Sequence, residues 1–416
     1  MKQLINKIIH HTFFRGSVLM FAGTSIVNFG NYFYHLLMGR MLGPEKYGVF
    51  ASIISSLYLL GIIPMALGTV LTKYISEIHG RGEKNELNVF YHWIKSKLFL
   101  LGILIAGLLL LIVPFWAGFL KIEDSRLLIA VVIVLPVSLM LLLIRSYFTG
   151  TLNFGYYSFS TILETVIKII LSILLIFIGW SVFGAIAGMV LSGIVSYLIC
   201  LPLLKTGEKP EKAGFMRKKE IFSYGIFVLI STLGFTSLFS SDIILVKHFF
   251  SSFDAGIYAS LSVLGKIIFF ISSSLIGVMF PLVSQKHAKG EQYQKIFWMA
   301  FLLIGGMSAV LSGIYYFFPE LMLRLLYGTS FLSGKTFLFP FAVFMSLYAL
   351  GNVLINFYLS IGKTRAVIFP LICAGLQIIF IIVWHQNLQT VITDSIIATF
   401  ILLVSLLLYY PYATKK

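Results

Sequence analysis

The 416-residue chain is 59% hydrophobic and only 11% charged, less than half the charge that keeps an ordinary soluble domain solvated, so it is read as a membrane protein. Its net charge of +16 would suit a nucleic-acid partner, but the basic residues fall mostly in short loops between apolar runs. No basic run is interleaved with aromatics on a soluble module, which excludes that class.

The lead MKQLINKIIHHTFFR is basic and amphipathic. The apolar run behind it is too long for a signal peptide and no small-residue cleavage site closes it, so it reads as a retained first span. About 20 apolar residues cross a bilayer as a helix. Such runs occur near 17–39, 48–72, 98–120, 127–149, 157–178, 182–204, 221–248, 256–284, 296–318, 337–360, 366–384 and 391–412, twelve in all. Several exceed the required length and are expected to tilt or protrude. Cys200 and Cys373 lie inside these runs, which argues against a disulfide or a cysteine metal site. Between the first two runs stands RMLGPEKYGVFAS (40–52), whose Gly-Pro and charged residues predict a short fixed turn. With the amino terminus inside, the expected inner segments hold 22 Lys and Arg and the outer ones 7. That bias places both termini in the cytoplasm.

The turn recurs. YGVFASIISSLYLLGIIPMALGTVLTKYISEIHGRGE (47–83) aligns without a gap on AGIYASLSVLGKIIFFISSSLIGVMFPLVSQKHAKGE (255–291), at an offset of 208 residues. Gly48/Gly256, Ala51/Ala259, Ser52/Ser260, His79/His287, Gly82/Gly290 and Glu83/Glu291 are identical. The expected fold is therefore an all-α polytopic membrane protein of alternating-access architecture, with two parallel-repeat six-helix bundles. The bundles are 1–204 and 221–416, joined by the basic cytoplasmic linker KTGEKPEKAGFMRKKE (205–220).

GRMLGPEKYGVFAS after a first span, the second span ending in KYISEIHGRGE, the turn DAGIYAS and the later YGTSFLSG (327–334) together resemble the oligosaccharide and polysaccharide flippases of the multidrug/oligosaccharidyl-lipid/polysaccharide exporter superfamily. The resemblance covers essentially the whole chain. It implies movement of undecaprenyl-pyrophosphate-linked oligosaccharide from the inner to the outer leaflet of the bacterial cytoplasmic membrane. It also implies membrane lipids, a polysaccharide polymerase and glycosyltransferases as partners. No cofactor is expected, but a proton or sodium gradient or the membrane potential can drive the step. A negative headgroup moving outward gains about 2.3 kcal/mol per charge per 100 mV.

Charges in the apolar core are costly and usually face a cavity or a partner. Lys266 and Lys168 lie deep in the eighth and fifth runs, where each ammonium can meet a diphosphate. Lys168 has an alternative partner in Glu164, four residues earlier; the alternative for Lys266 is snorkelling. Asp242 is a candidate for carrying a coupling proton, with Glu164 as a second acid, or else it pairs with Lys247 or another cation. Arg40 and Lys247, at the outer ends of the first and seventh runs, either meet the departing phosphate or anchor at headgroups. Asn28, Asn31 and His35 follow helical spacing and either bind sugar hydroxyls or make polar helix contacts. GAIAG (184–188) fits close helix packing alone.

Enzyme signatures fail. GTSFLSGKT (328–336) has five residues between its glycines where a phosphate loop needs four, and it lacks a preceding strand. The two rival readings are a cation-coupled multidrug exporter and a non-transporting scaffold of a polysaccharide assembly complex. The first favours an interior rich in carboxylates rather than one with two lysines. Against the second stand the repeat and the buried charges.

Overall fold

The computed structural model describes residues 2–204, 218–288 and 291–414; most of the expected 205–220 linker and the terminal Lys415–Lys416 lie outside the described residues. Everything described is helix and short connection, with no strand among the described residues. Among the described residues, eight helices are long and apolar enough to cross a membrane, or nine if the bent pair Ala22–Leu60 and Ile62–Gly80 is one span. That is fewer than the twelve apolar runs because two pairs of runs each count once, Phe154–Leu203 and the bent pair, and the helix over 221–248 is not among those counted. Phe154–Leu203 counts as one helix of 50 residues, but it is broken at Gly179, where φ is +101°, and so covers the fifth and sixth runs.

Cα packing divides the chain into two compact units, residues 1–38 with 60–229, and residues 39–59 with 230–416. The stretch 39–59, which the sequence reading assigns to the first bundle, packs with the second unit.

In the first unit, α2 (Ile62–Gly80), α3 (Lys84–Phe119) and α5 (Leu135–Gly150) share a core that includes Leu71, Ile75, Phe90, Ile94, Leu143 and Phe148. α6 (Phe154–Leu175) and α7 (Ser181–Cys200) form a hairpin across a kink at Gly179, where φ is +101°. Their contact is close because a Cβ on Gly188 would lie 2.6 Å from the Ser172 backbone nitrogen, and one on Gly184 2.9 Å from the Leu175 carbonyl carbon. This is the packing expected of GAIAG. The early part of α1 (Lys2–Leu60) lies on α6, with Gly23 against Ser158 and Gly30 against Thr165. Small residues seven apart on both helices let the backbones approach without cost in apolar surface.

The second unit is built on α12 (Leu338–Ser360), the most buried of its spans. α12 packs on α9 (Ser252–Ala288), α10 (Gln294–Phe317) and α14 (Leu388–Thr414). With neighbours on several sides, α12 buries Phe341, Phe344, Met345, Val353 and Phe357 around its circumference, as an all-round apolar helix must.

Candidate functional site

Three stretches far apart in the chain, RMLGPEKYGVFAS, DAGIYAS and YGTSFLSG, converge in the second unit. Gly43 breaks α1 with φ +73° and ψ 170°, and Pro44 restarts the helix in its first turn, the position where a missing N–H costs nothing. The matching turn, between α8 (Lys218–Phe249) and α9, is capped by Ser251. Its hydroxyl oxygen accepts the Asp254 N–H at 3.1 Å and donates to the Asp254 carboxylate at 2.7 Å, a side-chain N-cap.

These turns meet reciprocally. A Cβ on Gly48 would lie 2.1 Å from the Ser252 carbonyl oxygen, and one on Gly256 would lie 1.8 Å from the Pro44 carbonyl oxygen. Each contact maps onto the other by the 208-residue offset of the sequence repeat. Tyr47 packs on Tyr327 and Phe331, Tyr327 covers Gly39, and Gly334 covers Ile257. Arg40, expected at a phosphate or a headgroup, donates through Nε to the Leu326 carbonyl at 3.0 Å and through Nη2 to that of Leu325. It thereby caps the carboxyl end of α11 (Pro319–Leu326), where a cation complements the helix dipole.

In the first unit α6 carries Ser160, Glu164, Lys168 and Ser172 at four-residue spacing, a polar stripe along one face. Lys168 Nζ donates to Asn31 Oδ1 at 2.5 Å and lies 4.7 Å from the centroid of the Tyr34 ring. Ser172 and the Ala185 carbonyl meet the Tyr34 hydroxyl at 3.1 and 3.0 Å. Glu164 is electrostatically coupled to Lys168, but its ion pair is with Arg145, 2.5 Å away. Arg145 also donates to the Ser160 hydroxyl and carbonyl. The guanidinium wins because its planar fork reaches a carboxylate and a carbonyl together. Asn31 thus serves a polar helix contact that also holds an ammonium. Asn28 is exposed and His35 half-buried.

In the second unit Lys266 is 8% exposed. Its ammonium lies 4.0 Å from the Phe239 ring centroid and 5.8 Å from that of Tyr58, so cation–π attraction offsets part of its desolvation. Tyr58 is the repeat counterpart of Lys266, so equivalent positions of the two copies face each other here. Lys266 has no acid within a turn of its own helix, but Asp242 on α8 is an electrostatic neighbour. Asp242 is buried, accepting the Tyr258 hydroxyl at 2.8 Å and the Ile243 N–H at 2.9 Å. Lys247 is buried rather than at a headgroup surface, only 1% exposed.

Sequence reading missed the continuation of this network. The Ser395 hydroxyl meets Tyr258 and accepts from Gln377 Nε2 at 3.0 Å. Asp394 is 5% exposed, and both Asp394 Oδ2 and Gln377 Oε1 are buried without a hydrogen-bond partner. α13 (Ile368–Val383) and α14 supply these residues. The missed signal was available, since an aspartate and a glutamine inside apolar runs carry the same expense as the lysines.

Residues 13–287 match the family described as "Polysaccharide biosynthesis protein". "Stage V sporulation protein B" of Bacillus subtilis (strain 168) is 23% identical over 370 residues, 81% of this chain and 70% of that protein. Among solved structures, an inward-facing multidrug resistance MATE family transporter of the MOP superfamily superposes with a TM-score of 0.77 at 14% identity, covering 92% of this chain and 95% of that one. The lipid II flippase MurJ, in an inward closed conformation, gives 0.75 at 15% identity, covering 95% and 87%. Likenesses at such identities establish a shared fold.

Proposed function

Because the chain belongs to the polysaccharide biosynthesis protein family, we propose that it is a flippase carrying undecaprenyl-pyrophosphate-linked oligosaccharide from the inner to the outer leaflet of the bacterial cytoplasmic membrane. The observation that carries this reading is the family match over residues 13–287. Two lysines support it: buried Lys266 and half-buried Lys168 offer ammonium groups inside membrane helices, where an organic cation would require anions. In this account the diphosphate meets them in turn, and Asn28, Asn31 and His35 contact the glycan. The prenyl tail stays in lipid.

The topology proposed is twelve spans in two parallel repeats with both termini cytoplasmic. It takes Phe154–Leu203 as two antiparallel arms, the helices on either side of Gly43 as two spans, and Lys218–Phe249 as the seventh. The reciprocal contacts of Gly48 and Gly256 support a duplicated origin. The knot of three turns then closes the outer side in one state and parts in the other. Asp242, which accepts the Tyr258 hydroxyl that Ser395 also meets, and Asp394, the chain neighbour of Ser395, are where a coupling proton or sodium ion is held.

Binding in nanodiscs tests the site. Lys266→Ala should weaken a prenyl-diphosphate saccharide more than its uncharged analogue, and Lys266→Arg should retain part of the binding. Equal loss for both ligands, or none, removes the diphosphate role.

A further inference from the structure

We propose that the first unit carries a separate site for an anionic glycerophospholipid, at the side of α3. A cavity of about 390 Å³ opens there between α3, α5 and α7. From α3 it is lined by His92, Lys95, Ser96 and Phe99, a run at i, i+3, i+4 and i+7 that makes one helical face. Val137 and Met140 of α5 and Tyr197 of α7 complete the lining, which contains no carboxylate.

The lining is graded along the helix axis. His92 begins the polar end, about 12 Å along α3 from its first residue at 1.5 Å per residue. Phe99 starts the apolar end, and beyond it Ile103, Leu104, Leu108 and Leu111 are all exposed. A basic and hydroxyl-bearing head above an apolar floor, continuing into a greasy outer helix face, matches the two ends of a phospholipid. Lys95 and His92 suit its phosphate, Tyr197 suits the glycerol level where amphipathic rings reside, and the acyl chains lie along Phe99 and the outer face. A free anion would use only the upper half of this cavity. The apolar half therefore favours a lipid as occupant.

This inference requires only that the protein spans a membrane, so it stands or falls independently of which substrate is flipped. The test is thermal unfolding of the purified full chain in a neutral detergent, titrated with phosphatidylglycerol, with phosphatidylcholine and with inorganic phosphate. Phosphatidylglycerol should raise the unfolding temperature saturably, and the other two should not. Lys95→Gln should weaken the apparent phosphatidylglycerol affinity about five-fold, the scale of one lysine at an anionic headgroup. Lys95→Arg should keep it, and Met140→Trp, which fills the floor, should reduce it with the charge intact. Lys335→Gln, an exposed lysine of the second unit, should leave it unchanged. Equal stabilisation by phosphatidylcholine overturns the charge assignment, and stabilisation by inorganic phosphate alone overturns the lipid. An unaltered phosphatidylglycerol response in both Lys95→Gln and Met140→Trp overturns the site.

Discussion

Replacing Gly256 by alanine puts the account of the three-turn knot to a quantitative test. The added Cβ would lie 1.8 Å from the Pro44 carbonyl oxygen, with the carbonyl carbon at 2.6 Å. Real Cβ atoms essentially never approach a neighbour within 3.0 Å, so the two turns must separate by more than about 1 Å. The obstructing atoms are backbone held by helices on both sides, and no rotamer change relieves them. Overpacking of this kind costs about 3 kcal/mol, which shifts the ratio of closed to parted knot by roughly 100-fold if the contact exists in only one state. The readout is a single cysteine at Ser52, a residue of the same stretch that is fully buried, in a background with Cys200 and Cys373 replaced by alanine. In the parent it should resist an impermeant maleimide added from outside. With Gly256→Ala it should become labelled, and transport should fall. Gly306→Ala, where an added Cβ meets nothing within 4 Å, is the control and should change neither. Should Gly256→Ala leave both labelling and transport at parent values, the knot does not set a closed state.

Other expectations follow from the polar networks and the topology. Arg145→Ala leaves the Glu164 carboxylate without its ion pair; because the pair is 20% and 29% exposed, a loss of about 1–3 kcal/mol in stability is expected. Glu164→Gln in the same background should recover much of it, and a double-mutant cycle with no coupling contradicts the pairing. Asp242→Asn and Asp394→Asn should each weaken the dependence of transport on the ion gradient while membrane insertion stays normal; unchanged dependence in both leaves the network a structural one. Single cysteines placed in 205–220 should be shielded from an impermeant reagent in intact cells, and those in 324–335 should react. The opposite pattern inverts the orientation.

The helices were legible because hydropathy is a property of each run by itself. So was the turn at 40–52, since Gly43 and Pro44 have local conformational consequences that need no partner. What sequence could not supply was partnership. Glu164 and Lys168 stand at ideal spacing, yet Arg145 takes the carboxylate from another helix, and spacing along one helix is silent about its neighbours. Arg40 reads as a headgroup or phosphate ligand because the carboxyl end of α11, almost three hundred residues later, is invisible from its own context. Lys266 seemed to lack an acid for the same reason, and Asp242 reaches it only through the packing of α8 on α9. The reciprocal glycine contacts are the opposite case: the 208-residue offset was readable, and the structure gives it a physical meaning at Gly48 and Gly256. The boundary between the fifth and sixth runs was legible too, since Gly179, at φ +101°, breaks Phe154–Leu203 between them.

The central claim, outward movement of a prenyl-diphosphate-linked oligosaccharide, is tested most directly by reconstituting the full chain in liposomes with a fluorescent lipid-linked oligosaccharide on one leaflet. Its appearance on the other leaflet is followed with an impermeant lectin or quencher. The account predicts flipping that depends on protein, is lost in Lys266→Ala and is partly retained in Lys266→Arg, with no uptake of a cationic dye by the same vesicles. Cation transport without any movement of the lipid-linked saccharide would contradict it.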